Sequence, residues 1–363
     1  MRRLAFVLAV VVAATAVLPA TAVAQSGSGC SFPYERTDAT GTTVTVGEEP
    51  TSVVTLNPSA AQTMWEIGAQ EKVVGVTKYA ANLDGAAAKT NISGSGQTIS
   101  NEEVVGLNPD LVIAPNTISN ETVQTLRGAN LTVYRFREAE SIDDIKRKTR
   151  IVGHLVGECD GAGDTVDWMD SRLSTVDEAV GDAERPDVVY AFYGFTSGEN
   201  TFIDTVLERA GGNNVAADAG ITGYKQINDE ILVQESPDWI VLNSDWDEVP
   251  NSAAYNSTTS VQENQTVVVN KNHLNRPAPR VVYAVTTLAQ AFHPDAYAAA
   301  NATATPTATV TANTPNTATA TVMAESTKTV TATETPGESG PGFGVVAALV
   351  ALAATLAAAR TRR

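Results

Sequence analysis

Basic residues are scarce in this chain: 24 Lys and Arg stand against 41 Asp and Glu in 363 residues, for a formal net charge of −17. That balance excludes the electrostatic footprint of a nucleic-acid-binding protein and of a polybasic membrane patch. It suits work in concentrated salt, where screening removes most of the repulsion between acids. Cysteine is scarcer still, with Cys30 and Cys159 alone, too few and too far apart for a zinc ribbon or a disulfide-dense scaffold. The three histidines, His154, His273 and His293, form no credible catalytic dyad in the sequence. Also missing are a Gly-x-Ser-x-Gly elbow, a phosphate-binding Gly-Lys-Ser/Thr loop and a His-Glu-x-x-His helix. These absences point away from an enzyme.

What is present suffices for two ordinary lobes, since 43% of the side chains are hydrophobic. Both ends read as addresses. The opening "MRRLAFVLAVVVAATAVLPATAVAQS" has a basic tip, an apolar run and the small-x-small site Ala22-Val23-Ala24, the pattern of a secretory signal over 1–24. "GSGC" lacks the apolar residue that lipid attachment at Cys30 would require. For an exported chain the expectation is a Cys30–Cys159 disulfide, with two unlinked thiols as the alternative. Residues 301–340, rich in Thr, Ala and Pro, offer too little apolar surface to offset their ordering entropy and predict a disordered stalk. Residues 341–363 combine Pro341-Gly342-Phe343, an apolar segment slightly short of the roughly 20 residues of a membrane span, and the basic tail "RTRR". This end resembles the PGF carboxy-terminal sorting signal of archaeal surface proteins. The resemblance implies an archaeosortase-type processing enzyme and a lipid in place of the removed segment; an uncleaved anchor is the alternative. Either leaves the protein extracellular, on the outer face of the cell membrane and held there only by its C-terminus. Six Asn-x-Ser/Thr sequons, at Asn91, Asn120, Asn130, Asn256, Asn264 and Asn301, fit an exported glycoprotein.

Between the addresses, strand and helix patterns alternate. "TSVVTL", "KVVGVT", "PDLVIAP" and "LTVYRF" read as buried strands, with helices "SAAQTMWEIGA", "NEEVVGL" (Asn101 as its candidate cap) and "SNETVQTLRGAN" among them. From residue 141 to 181 the apolar residues Val166, Met169, Leu173, Val176 and Val180 recur at helical spacing. Gly157, Gly161 and Gly163 predict a break or kink there, so the stretch is one long helix or two segments. Alternation then resumes through "DVVYAFY", "NTFIDTVLERAGG", "DWIVLN", "QTVVVN" and "PRVVYAVTTLAQAF". The predicted class is α/β: two lobes with mainly parallel sheets, 25–140 and 182–300, joined by a backbone helix over 141–181.

One phrase is written twice. "NEEVVGLNPDLVIAPN" (101–116) and "NDEILVQESPDWIVLN" (228–243) each place a glutamate, Glu102 or Glu230, seven residues before a Pro-Asp pair that opens an apolar strand ending in Asn. Taken alone, each glutamate is a first-turn acid favourable to its helix dipole.

These phrases, with "VVTLNPSAAQTMWEIGAQEKVVGVT" (53–77), "TFIDTVLERAGGNNVA" (201–216) and "RPAPRVVYAVTTLAQAFHP" (276–294), are similar in order and spacing to the solute-binding proteins of ABC importers for cobalamin, ferric siderophores and haem. The resemblance implies the periplasmic-binding-protein fold with a rigid helical backbone. It also implies that Glu102 and Glu230, one per lobe, dock onto arginines of a permease dimer that works with its ATPase. Cleft residues should then come from the carboxyl ends of strands: Asn57, Ser59, Gln62, Tyr79 and Asn116 in the first lobe, and Tyr193, Phe195, Thr196, Trp246 and the segment Asn272 to Arg276, with His273 and Arg276 foremost, in the second. His273 is a candidate ligand to iron or contact to a corrin, or simply a polar surface residue. The aromatic and amide-rich set favours cobalamin as the transported metal chelate, ahead of ferric siderophore or haem, with no cofactor of the protein's own. A surface glycoprotein without a transport role is the remote alternative.

Overall fold

The structure is a computed structural model that describes residues 29–96 and 98–304; the expected signal at 1–24, the stalk past residue 304 and the sorting signal at 341–363 lie outside the described residues. An antiparallel hairpin of β1 (Tyr34–Thr37) and β2 (Thr43–Val46) leads into the first lobe. There follow β3 (Val53–Thr55), α1 (Pro58–Glu66), β4 (Val73–Val76), β5 (Thr90–Asn91), α2 (Asn101–Leu107), β6 (Leu111–Ala114), α3 (Asn120–Gly128) and β7 (Val133–Arg135). The five strands pair in parallel in the order β5-β4-β3-β6-β7. Every residue of β3 and β6 is buried, because helices cover both faces of such a sheet and leave no polar side to alternate with.

Two helices, α4 (Ile142–Val156) and α5 (Cys159–Val180), occupy the expected backbone stretch 141–181, the two-segment alternative. Gly157 ends α4 at φ +79, a left-handed value that a side chain disfavours. The chain then turns back on itself: Lys146 pairs with Asp170 at 2.8 Å, and a Cβ on Gly153 would meet that of Ala162, so the two helices run antiparallel. Both helices make the traverse: Ile142 and Ile145 of α4 pack in the core of the second lobe, and its Val152, Leu155 and Val156 in that of the first. In α5, Ala162 near the start packs in the core of the first lobe, and Met169, Leu173, Val176 and Val180 pack in that of the second. Cys30 and Cys159 are joined in a disulfide that fixes the entry of the chain to the first turn of α5.

The second lobe comprises α6 (Phe202–Arg209), α7 (Val215–Asp218), α8 (Asp229–Glu235), α9 (Ala253–Asn256), α10 (Thr259–Gln262), α11 (Lys271–Leu274), α12 (Val281–Phe292) and α13 (Pro294–Ala304). Its strands are β8 (Asp187–Tyr190), β9 (Phe195–Ser197), β10 (Asn213–Asn214), β11 (Tyr224–Gln226), β12 (Trp239–Asn243) and β13 (Thr266–Val269). Four of them form a parallel sheet ordered β10-β8-β12-β13, and β9 and β11 form a separate antiparallel pair. Two expectations are corrected at helix ends. Ser100, not Asn101, caps α2, its hydroxyl accepting from the Glu103 amide at 3.2 Å. And α13 continues to Ala304, past the expected start of the stalk at 301.

Gly161 inside α5 lies so close to α1 that an added Cβ would stand 2.2 Å from the Ile67 carbonyl oxygen. Helix propensity alone would make Gly161→Ala stabilising by about 1 kcal/mol. The contact reverses the sign: we expect Gly161→Ala to destabilise by about 1–3 kcal/mol in chemical denaturation, because backbone atoms have no rotamer by which to yield.

Candidate functional site

Between the lobes lies a cavity of about 670 Å³, walled on one side by residues that follow β3, β4 and β6 and on the other by residues that follow β12 and β13. These are the carboxyl ends of parallel strands, where open α/β sheets leave room for ligands. The loop from Lys78 to Ile99, between β4 and α2, supplies much of the first wall, and α11 with the turn after it supplies the second.

Of the residues singled out from sequence, Asn57, Tyr79 and, from the segment Asn272 to Arg276, Asn272, Asn275 and Arg276 line this cavity. Asn57 caps α1: its side-chain oxygen accepts from the Ala60 amide at 3.0 Å and the Ser59 hydroxyl at 2.9 Å, and its amide nitrogen donates to Thr117 Oγ1 at 3.5 Å. Arg276 reaches across from the second lobe, donating to Asn82 Oδ1 at 2.9 Å and to the Tyr79 carbonyl at 2.7 Å. Burial, and then Arg280 nearby, lower its pKa to about 10.

The remaining expectations are placed elsewhere. Gln62 is fully buried and joins the lobes: its amide donates to the Asn272 carbonyl at 3.1 Å and its oxygen accepts from the Arg280 amide at 3.2 Å. Beside it Arg280 pairs with Glu66 at 2.6 Å, so this contact is a fixed joint rather than a cleft wall. Ser59 faces a small apolar gap between α1 and α4. Asn116 is half-buried and gives its carbonyl to Arg135 at 2.9 Å. Thr196 is buried within β9, and Phe195 packs on the second lobe's core. Tyr193, at φ +47, packs against Trp246 with ring centroids 4.7 Å apart; the Trp246 indole N–H is buried with no acceptor among the described residues. His273 turns away, its ring 5.2 Å from that of Tyr283. Burial, then Arg280 and Arg276, hold its pKa below the ordinary value.

Other lining residues were not singled out from sequence: Lys78, Asn82, Ser93, Thr98, Asp245 and Lys271. The loop after β4 was read only as far as Tyr79, although its whole polar length leaves a strand end. Asn275 is set from behind by a buried chain in which Asn243 donates to the Tyr190 hydroxyl at 2.6 Å and that hydroxyl donates to Asn275 Oδ1 at 3.3 Å. Burial keeps the Tyr190 hydroxyl protonated far above the usual phenol range. The wall is therefore rich in fixed amides and hydroxyls. Its charged members are Lys78, Lys271, Arg276 and Asp245, of which Lys271 and Asp245 form a pair.

On the outer surface the repeated phrase becomes a repeated structure. Both α2 and α8 are seven-residue helices that end in a left-handed residue, Asn108 at φ 44 and Ser236 at φ 41, followed by a buried proline. The next aspartate then hydrogen-bonds backbone at the start of the neighbouring strand, Asp110 to the Ser52 amide and Asp238 to the Asp187 amide, each at 2.9 Å. Within each helix Val104 or Leu232 is buried, whereas Glu102 with Val105 and Glu230 with Val233 are exposed. The two motifs thus present one acid and one valine, a turn apart, on each lobe.

Apart from the cleft, Lys148 on α4 lies between two smaller cavities, 6.0 Å from the centroid of the Phe136 ring. Burial lowers its pKa from 10.5 to about 8, against the opposing pull of Asp144 and Glu138. Below about pH 8 folded and unfolded chains both carry this proton, and the burial penalty is present in full. Between pH 8 and 10.5 the folded chain releases the proton first, so stability rises with pH. Lys148→Met should stabilise the protein at pH 7 by about 1–3 kcal/mol and flatten that rise, as read by denaturant titration across the window.

Comparison with known proteins bears on this geometry. The sequence pattern of the periplasmic binding protein family matches residues 53–272. The cobalamin-binding protein of Halobacterium salinarum is 42% identical over 312 residues, spanning 80% of this chain and 85% of that protein. The Bacillus subtilis ABC transporter substrate-binding lipoprotein YvrC is 27% identical, over 73% of this chain and 87% of its own length. Among solved structures, the periplasmic haem-binding protein RhuT from Roseiflexus sp. RS-1, in apo form, superposes with a TM-score of 0.61 at 25% identity, over 69% of this chain and all of the other. The matching proteins are carriers of ligands, not enzymes.

Proposed function

Because the chain belongs to the periplasmic binding protein family, we propose that it captures a corrinoid, cobalamin, in the cleft between its lobes and delivers it to an ABC permease dimer with its ATPase. The observation that carries this reading is the chemistry of the cleft wall. Asn57, Asn82, Asn272 and Asn275, with Thr98 and Thr117, offer paired donors and acceptors to a ligand rimmed by carboxamides, as a corrin is. A haem presents carboxylates and an iron seeking an axial ligand. Among the described lining residues there is no histidine, and the hydroxyl of the one tyrosine, Tyr79, is directed to the Gly96 carbonyl at 3.4 Å. The Halobacterium relative, named for cobalamin, supports the same choice. Haem or ferric siderophore is the second reading, favoured by the three cations of the wall and by the likeness to RhuT.

Glu102 and Glu230 would dock the two lobes onto the two halves of the permease, with Val105 and Val233 as apolar contacts beside them. The matching build of α2 and α8 supports this, since a two-fold partner requires like surfaces on both lobes. We place the mature protein extracellular, released from its signal near residue 24 and held at the outer face of the membrane by a lipid added when an archaeosortase-type enzyme removes the PGF segment. The sequence features at both ends support that placement. Uptake of labelled cyanocobalamin by cells lacking the chain tests the function: it should fall, and return when the chain is restored, whereas a fall in haem or siderophore uptake alone would favour the second reading. Undiminished uptake of all three would favour a surface glycoprotein without transport.

A further inference from the structure

Charge in the cleft runs against charge in the chain. The protein as a whole carries −17, yet the charged side chains among the described lining residues are three cations and one acid. Two of the cations have work already. Lys271 is paired with Asp245, and Arg276 is held by Asn82 and the Tyr79 carbonyl. Lys78 is different. It has no carboxylate within ion-pair distance among the described residues; its ammonium donates to the Gly96 carbonyl at 3.2 Å and lies 5.2 Å from the centroid of the Tyr79 ring. At least one of its three N–H groups remains for another acceptor. Adjacent to it, Ser93 Oγ accepts from the Lys78 amide at 2.9 Å, which leaves the hydroxyl proton to be donated into the cavity that both residues line. The wall thus has a corner that offers a positive charge and a hydroxyl donor together.

Resting on the corrinoid reading above, we infer that Lys78 and Ser93 receive an anionic group of the ligand, the phosphodiester of a complete cobalamin's nucleotide loop, and so select complete corrinoids over those that lack the loop. A corrin with its carboxamides is uncharged around its rim, and the phosphodiester is its single peripheral anion. The amide-rich part of the wall accounts for the ring, and the lysine corner for the loop. A charge-assisted hydrogen bond to phosphate, partly shielded from water, is worth about tenfold in affinity or more, and direct contact lets it survive screening that removes longer-range attraction.

Competition between cyanocobalamin and dicyanocobinamide, which lacks the nucleotide loop, tests this on the mature chain. Wild type should prefer cyanocobalamin, and in Lys78→Met that preference should shrink by about tenfold, with a smaller reduction in Ser93→Ala. Lys78 is exposed, so the thermal midpoint of Lys78→Met should match wild type and exclude misfolding as the cause. Equal affinity of wild type for the two corrinoids, or equal loss of both in Lys78→Met, would overturn the inference while leaving a corrinoid carrier standing. Binding of neither corrinoid would overturn both readings.

Discussion

With Glu102→Arg and Glu230→Arg combined, cobalamin uptake by cells should fall by on the order of tenfold or more, while the purified variant binds cobalamin as wild type does. The two glutamates stand exposed on α2 and α8, outside the cleft, so their reversal touches docking and not capture. An exposed ion pair adds only about 0–1 kcal/mol, and molar salt weakens it further. Reversal does more than delete that gain, because in the proposed docking it would set a cation against a basic partner at both anchor points. In brine the valines beside the acids should matter comparably: Val233 is 57% exposed and Val105 38%, unusual for large apolar side chains in this protein. Val105→Asp with Val233→Asp should therefore reproduce the loss of uptake. Normal uptake in both double variants would rule out these faces as docking surfaces.

Removing the disulfide, by Cys30→Ser with Cys159→Ser, should cost about 3 kcal/mol and lower Tm by about 6–12 °C. The bridge closes a loop of 129 residues between the chain entry and the first turn of α5. In the unfolded chain that closure removes many conformations, and the benefit grows slowly with loop length. In the folded chain the entry hairpin has other ties: Val44 and Val46 are buried in the first lobe's core, and Tyr34 stacks on His154 with ring centroids 5.2 Å apart. Asp38 adds a polar one, its buried carboxylate pairing with Arg127 at 2.6 Å and accepting from the Arg135 amide at 3.0 Å. Calorimetric melts of the double variant and of reduced wild type should agree with each other and lie below oxidised wild type. A shift under about 1 kcal/mol would show that the bridge adds little beyond these ties.

How far the sequence could be read follows from what each signal encodes. Strands such as "DLVIAP" and "DWIVLN" were legible because a parallel strand covered on both faces is an unbroken apolar run, and the observed sheets contain them. The break at Gly157 was legible as a glycine in a helical pattern, but its consequence, a full reversal of direction, depends on Ala162 and Asp170 finding Gly153 and Lys146 across the turn. The cleft was legible only to the level of strand ends. Beyond a strand end, direction is set by the next helix: on α11 and its turn, Lys271, Asn272, Asn275 and Arg276 share the cleft face, while His273, one residue along, is rotated about 100° away. Gln62 sits on α1 with its buried side directed to the lobe joint for the same reason. The antiparallel pair of β9 and β11 left no clear signal, since the strand "YKQ" is short and exposed throughout.

The central claim is that this cleft holds a corrinoid. Calorimetric titration of the mature secreted chain with cyanocobalamin in molar salt, with haem titrated in parallel, tests it most directly. Saturable one-to-one binding of cyanocobalamin, clearly tighter than that of haem, is the expected result. Absence of heat and of any thermal stabilisation by cyanocobalamin, with saturable binding of haem, would contradict it.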